Sequence, residues 1–143
     1  MMARCTRRRF LGLAAAALAA PWLPRRAGAQ SAPHVVIVGG GFAGATCARS
    51  LRRSDPRLDV TLVEPNAQFT ACPFSNAVLA GLRAPQDQRF GYDALRAEGI
   101  TLVQAAATGV DPQARRVRLA DGASLPYDRL VLAPGIDFRW GAI

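Results

Sequence analysis

The stretch HVVIVGGGFAGATCARSLRRSDPRLDVTLVE, from His34 to Glu64, decides the fold class. It begins with the apolar run His34–Val38, of the kind that parallel sheets bury on both faces. Glycines follow at once, and a helical pattern then extends to Asp55-Pro56, where proline disfavours a helical conformation of the residue before it. The run Asp59–Glu64 is the next predicted strand. Strand, glycine turn, helix and strand form a βαβ unit, whose crossover is right-handed in about 98% of cases.

The glycines of this stretch predict a dinucleotide site. Gly39, Gly41 and Gly44 form the pattern G-x-G-x-x-G directly after a strand and at the start of a helix. The first permits a tight turn, the second lets the backbone approach a pyrophosphate, and the third allows close packing of helix on strand. The helix N-terminus adds free N–H groups and a positive dipole end, so Phe42 and Ala43 join the predicted binding residues. A merely structural glycine turn is the alternative.

An acid, Glu64, ends the second predicted strand, twenty residues after Gly44. At that place in a dinucleotide-binding fold, a carboxylate accepts hydrogen bonds from the ribose hydroxyls of an adenosine, and it would repel a 2′-phosphate. We therefore predict that Glu64 and the next two residues, Pro65 and Asn66, lie at the adenosine end of the site.

The segment between the second and third predicted strands is less regular. The stretch QFTACPFSN, Gln68–Asn76, reads as a polar loop, and a short helix is predicted near Ser75–Leu82. Asp93–Glu98 is predicted to form a helical turn closed by Gly99. The run ITLVQA, residues 100–105, is the third predicted strand.

After the third strand the sequence predicts short antiparallel strands. Turn signals at Asp111-Pro112 and Asp121-Gly122 flank the alternating apolar residues Val117 and Leu119, a pattern typical of a small meander. The segment Asp128–Ala133 is then predicted to return to the main sheet.

This arrangement resembles the flavoprotein superfamily of two-dinucleotide-binding oxidoreductases, where such a meander precedes a strand ending in an Ala-Thr-Gly-like motif. YDRLVLAPG, Tyr127–Gly135, matches that motif with proline in place of threonine, and it adds Ala133 and Gly135 to the cofactor-binding residues. The resemblance implies FAD, because the usual NAD-binding fold returns through a helix. The predicted fold class is α/β, a Rossmann-like FAD-binding domain with a parallel sheet and an antiparallel β-meander crossover. Residues 30–143 are predicted to be a truncated, N-terminal part of it.

Four stretches resemble more closely the flavoprotein subunit of flavocytochrome c sulfide dehydrogenase, an exported family. They are Val60–Gly81, Gly91–Ile100, Ala107–Pro112 and Tyr127–Phe138. In that family a cysteine followed by two residues and Ser-Asn holds FAD as a thioether on the flavin 8α-methyl carbon. Cys72 occupies that position, with Pro73 and Phe74 in place of the residues expected between.

The resemblance implies an activity and a partner. Sulfide would attack a redox-active disulfide near the flavin, electrons would pass to FAD, and a cytochrome c subunit would take them. The two cysteines of that disulfide are not among these residues, so no catalytic residue is identified. Two other functions compete: a relative of sulfide:quinone reductase or NADH dehydrogenase, which would deliver electrons to membrane quinone, and a noncatalytic nucleotide-binding remnant.

Two cysteines, Cys47 and Cys72, follow the first thirty residues. Cys47 shares a four-residue spacing with Ala43 and Leu51, which predicts a helix face packed on the sheet, where a small buried cysteine is the default. An unpaired thiol is unusual in an exported protein. For Cys72 the alternatives to a flavin link are a disulfide with Cys47 and pairing with a partner beyond residue 143.

Residues 1–29 have the parts of an export signal: an arginine-rich start, an apolar run of eleven residues from Phe10 to Ala20, and the triplet Ala27-Gly28-Ala29. That run is shorter than the ~20 residues that span a bilayer, so we expect cleavage and no stable membrane span afterwards, rather than an anchor. TRRRFL, Thr6–Leu11, resembles the twin-arginine signal, which implies export of a folded protein to the periplasm. An ordinary secretory signal is the alternative.

The formal net charge of +8 is unevenly distributed. Six of the eighteen basic residues precede Ala29, and the first acid is Asp55. After Ala29 twelve arginines face ten acids, a net charge of +2. A nucleic-acid partner therefore loses its main support. The sequence offers no metal-ligand cluster, Ser-His-Asp set or carboxylate pair.

Overall fold

The computed structural model describes residues 32–136 and Gly141. The predicted leader, residues 1–29, lies outside the described residues. So does Phe138, the end of the last stretch that carries the resemblance. The elements, in chain order, are β1 (His34–Val38), α1 (Phe42–Ser54), β2 (Asp59–Val63), β3 (Gln68–Thr70), α2 (Ser75–Leu79), a 3₁₀ helix (Pro85–Gln88), β4 (Arg89–Gly91), α3 (Asp93–Ala97), β5 (Thr101–Val103), β6 (Ala107–Asp111), β7 (Arg116–Leu119), β8 (Ser124–Pro126) and β9 (Arg129–Leu132).

The main sheet has four parallel strands in the order β5-β2-β1-β9. Val38, the last residue of β1, is in register with Val63 on one side and with Leu132 on the other. The carboxyl ends of these strands therefore meet at one edge of the sheet. The α/β fold class and the return of the chain to the sheet through β9 are confirmed.

The two faces of the sheet bury different layers, because successive side chains of a strand point to opposite faces. On one face Ile37 and Leu62 pack with Ala48 of α1 and Leu95 of α3. On the other face Val36 and Val63 pack with Val117 and Leu119 of β7. The sheet thus separates a helical layer from a layer of antiparallel strands.

That second layer is the predicted meander. Strands β6, β7 and β8 form a three-stranded sheet in sequence order, with antiparallel pairing throughout. Val117 and Leu119 are its buried residues, as their alternation predicts.

The buried residues of helix α1 are shifted by one position from the predicted stripe of Ala43, Cys47 and Leu51. The expectation that Ala43 shares the packed face with the other two is wrong, because Ala43 is exposed and the buried residues of the helix are Gly44 and Ala48. The prediction that Ala43 is a cofactor-binding residue is a separate one and stays a prediction. Cys47 and Leu51 are partly buried against the core, as predicted. The physical reason is the close approach at Gly44, where an added Cβ would collide with the Gly39 carbonyl oxygen.

The region predicted as a polar loop contains a small sheet of its own. Strand β3 pairs with β4 in antiparallel register, Phe69 opposite Phe90. Helix α2 ends at Leu79, three residues before the predicted end. Gly81, with a φ of 73°, allows the Leu82 and Gly81 amides to bond carbonyls of the last turn, which is the usual glycine termination of a helix.

In the described part of the chain, no helix is long and apolar enough to cross a membrane.

Candidate functional site

Three predicted binding residues, far apart in sequence, lie side by side at the carboxyl edge of the main sheet. The backbone ladder continues past the strand ends, since Gly39 N–H donates to the Val63 carbonyl at 2.9 Å and Ala133 N–H donates to the Val38 carbonyl at 2.8 Å. Glu64 N–H donates to the Val103 carbonyl at 3.0 Å. These bonds hold Gly39, Glu64 and Ala133 in one row, at the edge where open α/β sheets bind ligands.

Two glycines of the fingerprint are required by the packing of this chain. Gly39 has a φ of 103°, and an added Cβ would collide with the Ala133 carbonyl. At Gly44 an added Cβ would collide with the Gly39 carbonyl. The turn, the start of α1 and the end of β9 are therefore in backbone contact.

Gly41 is different, because its surroundings leave room for a side chain. A Cβ there would meet only the Phe69 ring, at 3.5 Å, an ordinary van der Waals contact. Its φ of −68° and ψ of −169° suit any residue. The chain's own packing does not explain a glycine here, whereas the approach of a bound pyrophosphate does.

Within residues 32–136, no protein acceptor of the usual kind lies at the N-terminus of α1. Gly41 is the N-cap, no side chain in this part of the chain caps the helix, and the first turn has no acidic residue. Phe42 and Ala43 are exposed. The amides of the first turn are therefore open to an anion, and a phosphate group fits them.

Glu64 does more than the sequence predicts. Its Oε2 accepts a hydrogen bond from Gly40 N–H at 2.7 Å. Its Oε1 accepts two from Asn66, from the backbone N–H at 2.9 Å and from Nδ2 at 2.8 Å. A carboxylate has about four acceptor positions, so the one left is on Oε2. Glu64 thus ties the glycine turn to the loop after β2 and keeps room for one hydroxyl.

Pro65 and Asn66 follow Glu64 at the same edge, and both are exposed. Gly135 lies just beyond Ala133 with a φ of 73°, and among the residues that the structure describes no atom lies within 4 Å of a Cβ built on it. The structure therefore places these three predicted residues along an open margin of the sheet.

Tyr92, which sequence reasoning missed, is the buried residue beneath the glycine turn. It is the N-cap of α3 and only 4% exposed. Its hydroxyl donates to the Gly40 carbonyl at 3.1 Å. Burial, with a further contribution from the charge of Glu64, raises the pKa of Tyr92 to about 12. A phenol is neutral at physiological pH even at its ordinary pKa of about 10, so the hydroxyl is a hydrogen-bond donor there.

Cys72 lies on the β3–β4 unit, outside the row at the sheet edge. Its thiol is exposed, and both Cys47 and Cys72 are free. Phe69, three residues earlier, packs edge-to-face on Phe42 at the start of α1, with 5.1 Å between ring centroids. Three residues of chain span at most about 11 Å, so this contact keeps Cys72 near the helix N-terminus.

The turn that contains Cys72 is held from both sides. Ser75 donates to the Cys72 carbonyl through its hydroxyl and its amide. Gln88, which is 4% exposed, donates through Nε2 to the Pro73 carbonyl at 2.9 Å, and its own carbonyl accepts from Ala71 N–H at 2.8 Å. The backbone around Cys72 is therefore fixed while the thiol stays accessible.

A groove of about 520 Å³ lies between α1 and the segment that contains β4 and the first residues of α3. It includes Gly40, Gly41 and Phe42 from the turn, and it is also lined by Phe69, Phe90 and Tyr92. Glu64, Cys72 and Ala133 do not line it. The predicted dinucleotide residues thus follow the open strand edge and share only the turn with this groove.

A family model described as pyridine nucleotide-disulphide oxidoreductase matches residues 33–140. The sulfide dehydrogenase (flavocytochrome c) flavoprotein chain of Chlorobaculum thiosulfatiphilum is 64% identical over 45 residues, which are 32% of this chain and 94% of that one. The sulfide-quinone reductase of Aquifex aeolicus is 32% identical over 112 residues, or 78% of this chain and 26% of the relative.

Solved structures agree with this grouping. The X-ray structure of the Aquifex aeolicus sulfide:quinone oxidoreductase matches with a TM-score of 0.71 at 32% identity, over 78% of this chain and 26% of that chain. The covalent putidaredoxin reductase–putidaredoxin complex matches with a TM-score of 0.62 at 37% identity, over 72% and 26%. Apart from the first relative, the chain spans about a quarter of the length of these proteins.

Proposed function

Because the chain belongs to the pyridine nucleotide-disulphide oxidoreductase family of FAD-dependent oxidoreductases, we propose that it holds FAD in an exported sulfide dehydrogenase flavoprotein. The observation that supports the finer assignment most is the 64% identity to a sulfide dehydrogenase flavoprotein chain over 45 residues. The Cys-x-x-Ser-Asn pattern at Cys72 supports it as well.

The strand edge binds the adenosine diphosphate half of FAD. Gly39 and Gly44 shape the turn, and Gly41 leaves the space in which a pyrophosphate meets the amides of Phe42 and Ala43. The free acceptor position of Glu64 takes a ribose hydroxyl, beside Pro65 and Asn66. The segment from Ala133 to Gly135 borders the cofactor on the β9 side. FAD supplies the chemistry of accepting two electrons and passing them on singly.

Cys72 holds the flavin by a thioether. Its exposed thiol and its short tether to the helix N-terminus support this role. If Cys72 forms this link, its S–H bond and one C–H bond of the 8α-methyl group would be exchanged for one C–S bond. This would be a two-electron oxidation, for which an acceptor such as dioxygen would take up the two electrons and two protons. A covalent bond prevents loss of a cofactor that a periplasmic protein cannot easily recapture.

The leader directs the folded, FAD-loaded chain to the periplasm by the twin-arginine route. The pattern Thr6–Leu11 and the apolar run that follows support this assignment. In the periplasm, sulfide is the electron donor and a cytochrome c subunit is the acceptor.

A second candidate, sulfide:quinone reductase, is supported by the Aquifex aeolicus relative and by its structure. The two candidates differ in their electron acceptor. The test is sulfide oxidation by the full protein with oxidised cytochrome c or with a short-chain quinone as acceptor. We expect reduction of cytochrome c. Transfer to the quinone alone would contradict the sulfide dehydrogenase assignment and favour the second candidate.

A further inference from the structure

Gly40, the middle residue between two fingerprint glycines, is held on both sides. Its N–H donates to Glu64 Oε2 at 2.7 Å, and its carbonyl accepts from the Tyr92 hydroxyl at 3.1 Å. A Cβ built on Gly40 would lie 2.5 Å from the Tyr92 hydroxyl oxygen and 2.8 Å from Glu64 Cγ. The turn is therefore packed tightly between two side chains that come from different elements.

The bond from Tyr92 sets the direction of a neighbouring donor. The Gly40 carbonyl and the Gly41 N–H belong to one peptide unit, which is planar and trans, so they point in opposite directions. Tyr92 is buried in the core cluster beneath α1. With the carbonyl turned toward the core, the Gly41 N–H turns outward, to the side where the first turn of α1 lacks a capping side chain.

We propose that Tyr92 is a positioning residue that orients the Gly41 amide toward the pyrophosphate of the bound dinucleotide. The inference rests on the proposed FAD site and deepens it. Without the Tyr92 hydroxyl, the Gly40–Gly41 peptide loses the hydrogen bond that fixes its orientation. The Gly41 N–H is then no longer oriented toward the anion before the ligand binds.

A phenol suits this task. A phenol has an ordinary pKa of about 10 and is neutral at physiological pH, and burial raises the pKa of Tyr92 further, so its hydroxyl remains a donor. Phenylalanine keeps the ring and its packing with Leu95 and Ile37 but removes the donor. Tyr92→Phe is therefore the informative variant. Tyr127→Phe is the matched control, since Tyr127 packs in the other core cluster, against the meander.

The test is made in the full chain with Cys72→Ser, in which FAD binds reversibly, and this protein is the wild-type reference for position 92. It compares ADP with adenosine as competitors of FAD binding. The role we propose concerns the pyrophosphate, which adenosine lacks. Tyr92→Phe should weaken the binding of FAD and of ADP by the same factor, about 3- to 10-fold for the loss of one neutral hydrogen bond. The affinity for adenosine should not change. Amide hydrogen exchange of residues 40–44 should become faster in the free protein. Tyr127→Phe should change none of these values.

Equal losses for ADP and adenosine in Tyr92→Phe would overturn the proposal and leave the FAD site standing, because the effect would then be a general one on folding. Unchanged ADP affinity would overturn it as well. Wild-type protein that binds ADP no better than adenosine would overturn both the proposal and the proposed cofactor.

A second measurement covers the case in which Tyr92→Phe fails to fold. With 3-fluorotyrosine incorporated at position 92 alone, the ¹⁹F resonance should shift when ADP is added and remain in place with adenosine. A ¹⁹F chemical shift that does not change when ADP is added would contradict the proposed role of Tyr92.

Discussion

Substituting serine for Gly41 should separate cofactor binding from folding. Gly41 is an N-cap with extended backbone and an ordinary 3.5 Å contact for an added Cβ. Serine caps helices as well as or better than glycine, so the free protein should be as stable or gain a few tenths of a kcal/mol. Its hydroxyl would occupy the amides that a phosphate needs. Losing one charge-assisted hydrogen bond, about 1.5–3 kcal/mol, weakens FAD binding about 10- to 150-fold.

Gly44→Ala is the matched variant, and it should lower the stability of the fold rather than act directly on FAD binding. A Cβ at residue 44 would lie 1.8 Å from the Gly39 carbonyl oxygen, where at least 3.0 Å is needed, so α1 must move by about 1.2 Å. Because the collision is with backbone, we expect an overpacking cost of about 3 kcal/mol, at the upper end of the usual range of about 1–3 kcal/mol, and the better helix propensity of alanine returns about 1 kcal/mol. A net loss of about 2 kcal/mol lowers the melting temperature by roughly 8–16 °C.

The assays are thermal unfolding of the cofactor-free chain and FAD titration followed by flavin fluorescence, both in a Cys72→Ser background, in which the flavin is not covalently held. Gly41→Ser should have the melting temperature of wild type but a lower affinity for FAD. Gly44→Ala should have a lower melting temperature, and this should be its main defect. Gly41→Ser protein that binds FAD within twofold of wild type would refute the placement of the pyrophosphate. A Gly44→Ala chain that melts like wild type would refute the backbone contact between α1 and β1.

Three further predictions concern other parts of the chain. Glu64→Ala should weaken FAD binding about 10- to 150-fold, as expected for one charge-assisted bond to ribose, whereas Glu98→Ala, remote from the sheet edge, should leave FAD affinity intact; equal titration curves would argue against the ribose contact. The folded-state pKa of Tyr92 is about 12 against an ordinary 10.0, so the stability that its neutral phenol contributes is complete below pH 10 and is lost as pH rises toward 12. Between pH 10 and 12 the melting temperature should therefore depend less on pH in Tyr92→Phe than in wild type, whereas Tyr127→Phe should not show this change. The same pH dependence in both variants would show that another group titrates. Replacing Arg7 and Arg8 by lysine should block export, and normal periplasmic levels of the double variant would disprove the twin-arginine assignment.

The sequence predicts those elements whose apolar residues follow a local pattern, either a continuous run or an alternation. Strand β1 is an apolar run after His34, strand β2 is apolar except for Asp59 and Thr61, and the meander alternates at Val117 and Leu119, so each pattern extends over most of its element. Strands β3 and β4 escape prediction because each has three residues, mostly exposed, and their pairing joins distant segments. A three-residue run has too few side chains to display a period.

The site is predictable where a motif fixes the backbone and not where distant side chains support it. Gly39, Gly44 and Glu64 follow from spacing alone, and the structure brings Gly39 and Glu64 to one edge. The bond from Tyr92 to Gly40 joins residues 52 positions apart, and nothing local at Tyr92 indicates it. The error at Ala43 has a similar cause, since four-residue spacing defines a stripe on a helix but leaves its rotation about the axis to tertiary contacts.

The most direct test of the account is the location of the flavin in the purified, exported full-length protein. After acid precipitation the yellow colour should remain with the polypeptide, and a proteolytic peptide that contains Cys72 should have the added mass of FAD. In Cys72→Ser the flavin should be released on denaturation although the native protein still binds it, and Cys47→Ser should behave like wild type. Flavin that is entirely extractable from the wild-type protein, together with a disulfide-linked pair of peptides containing Cys47 and Cys72, would contradict both the thioether and the sulfide dehydrogenase assignment.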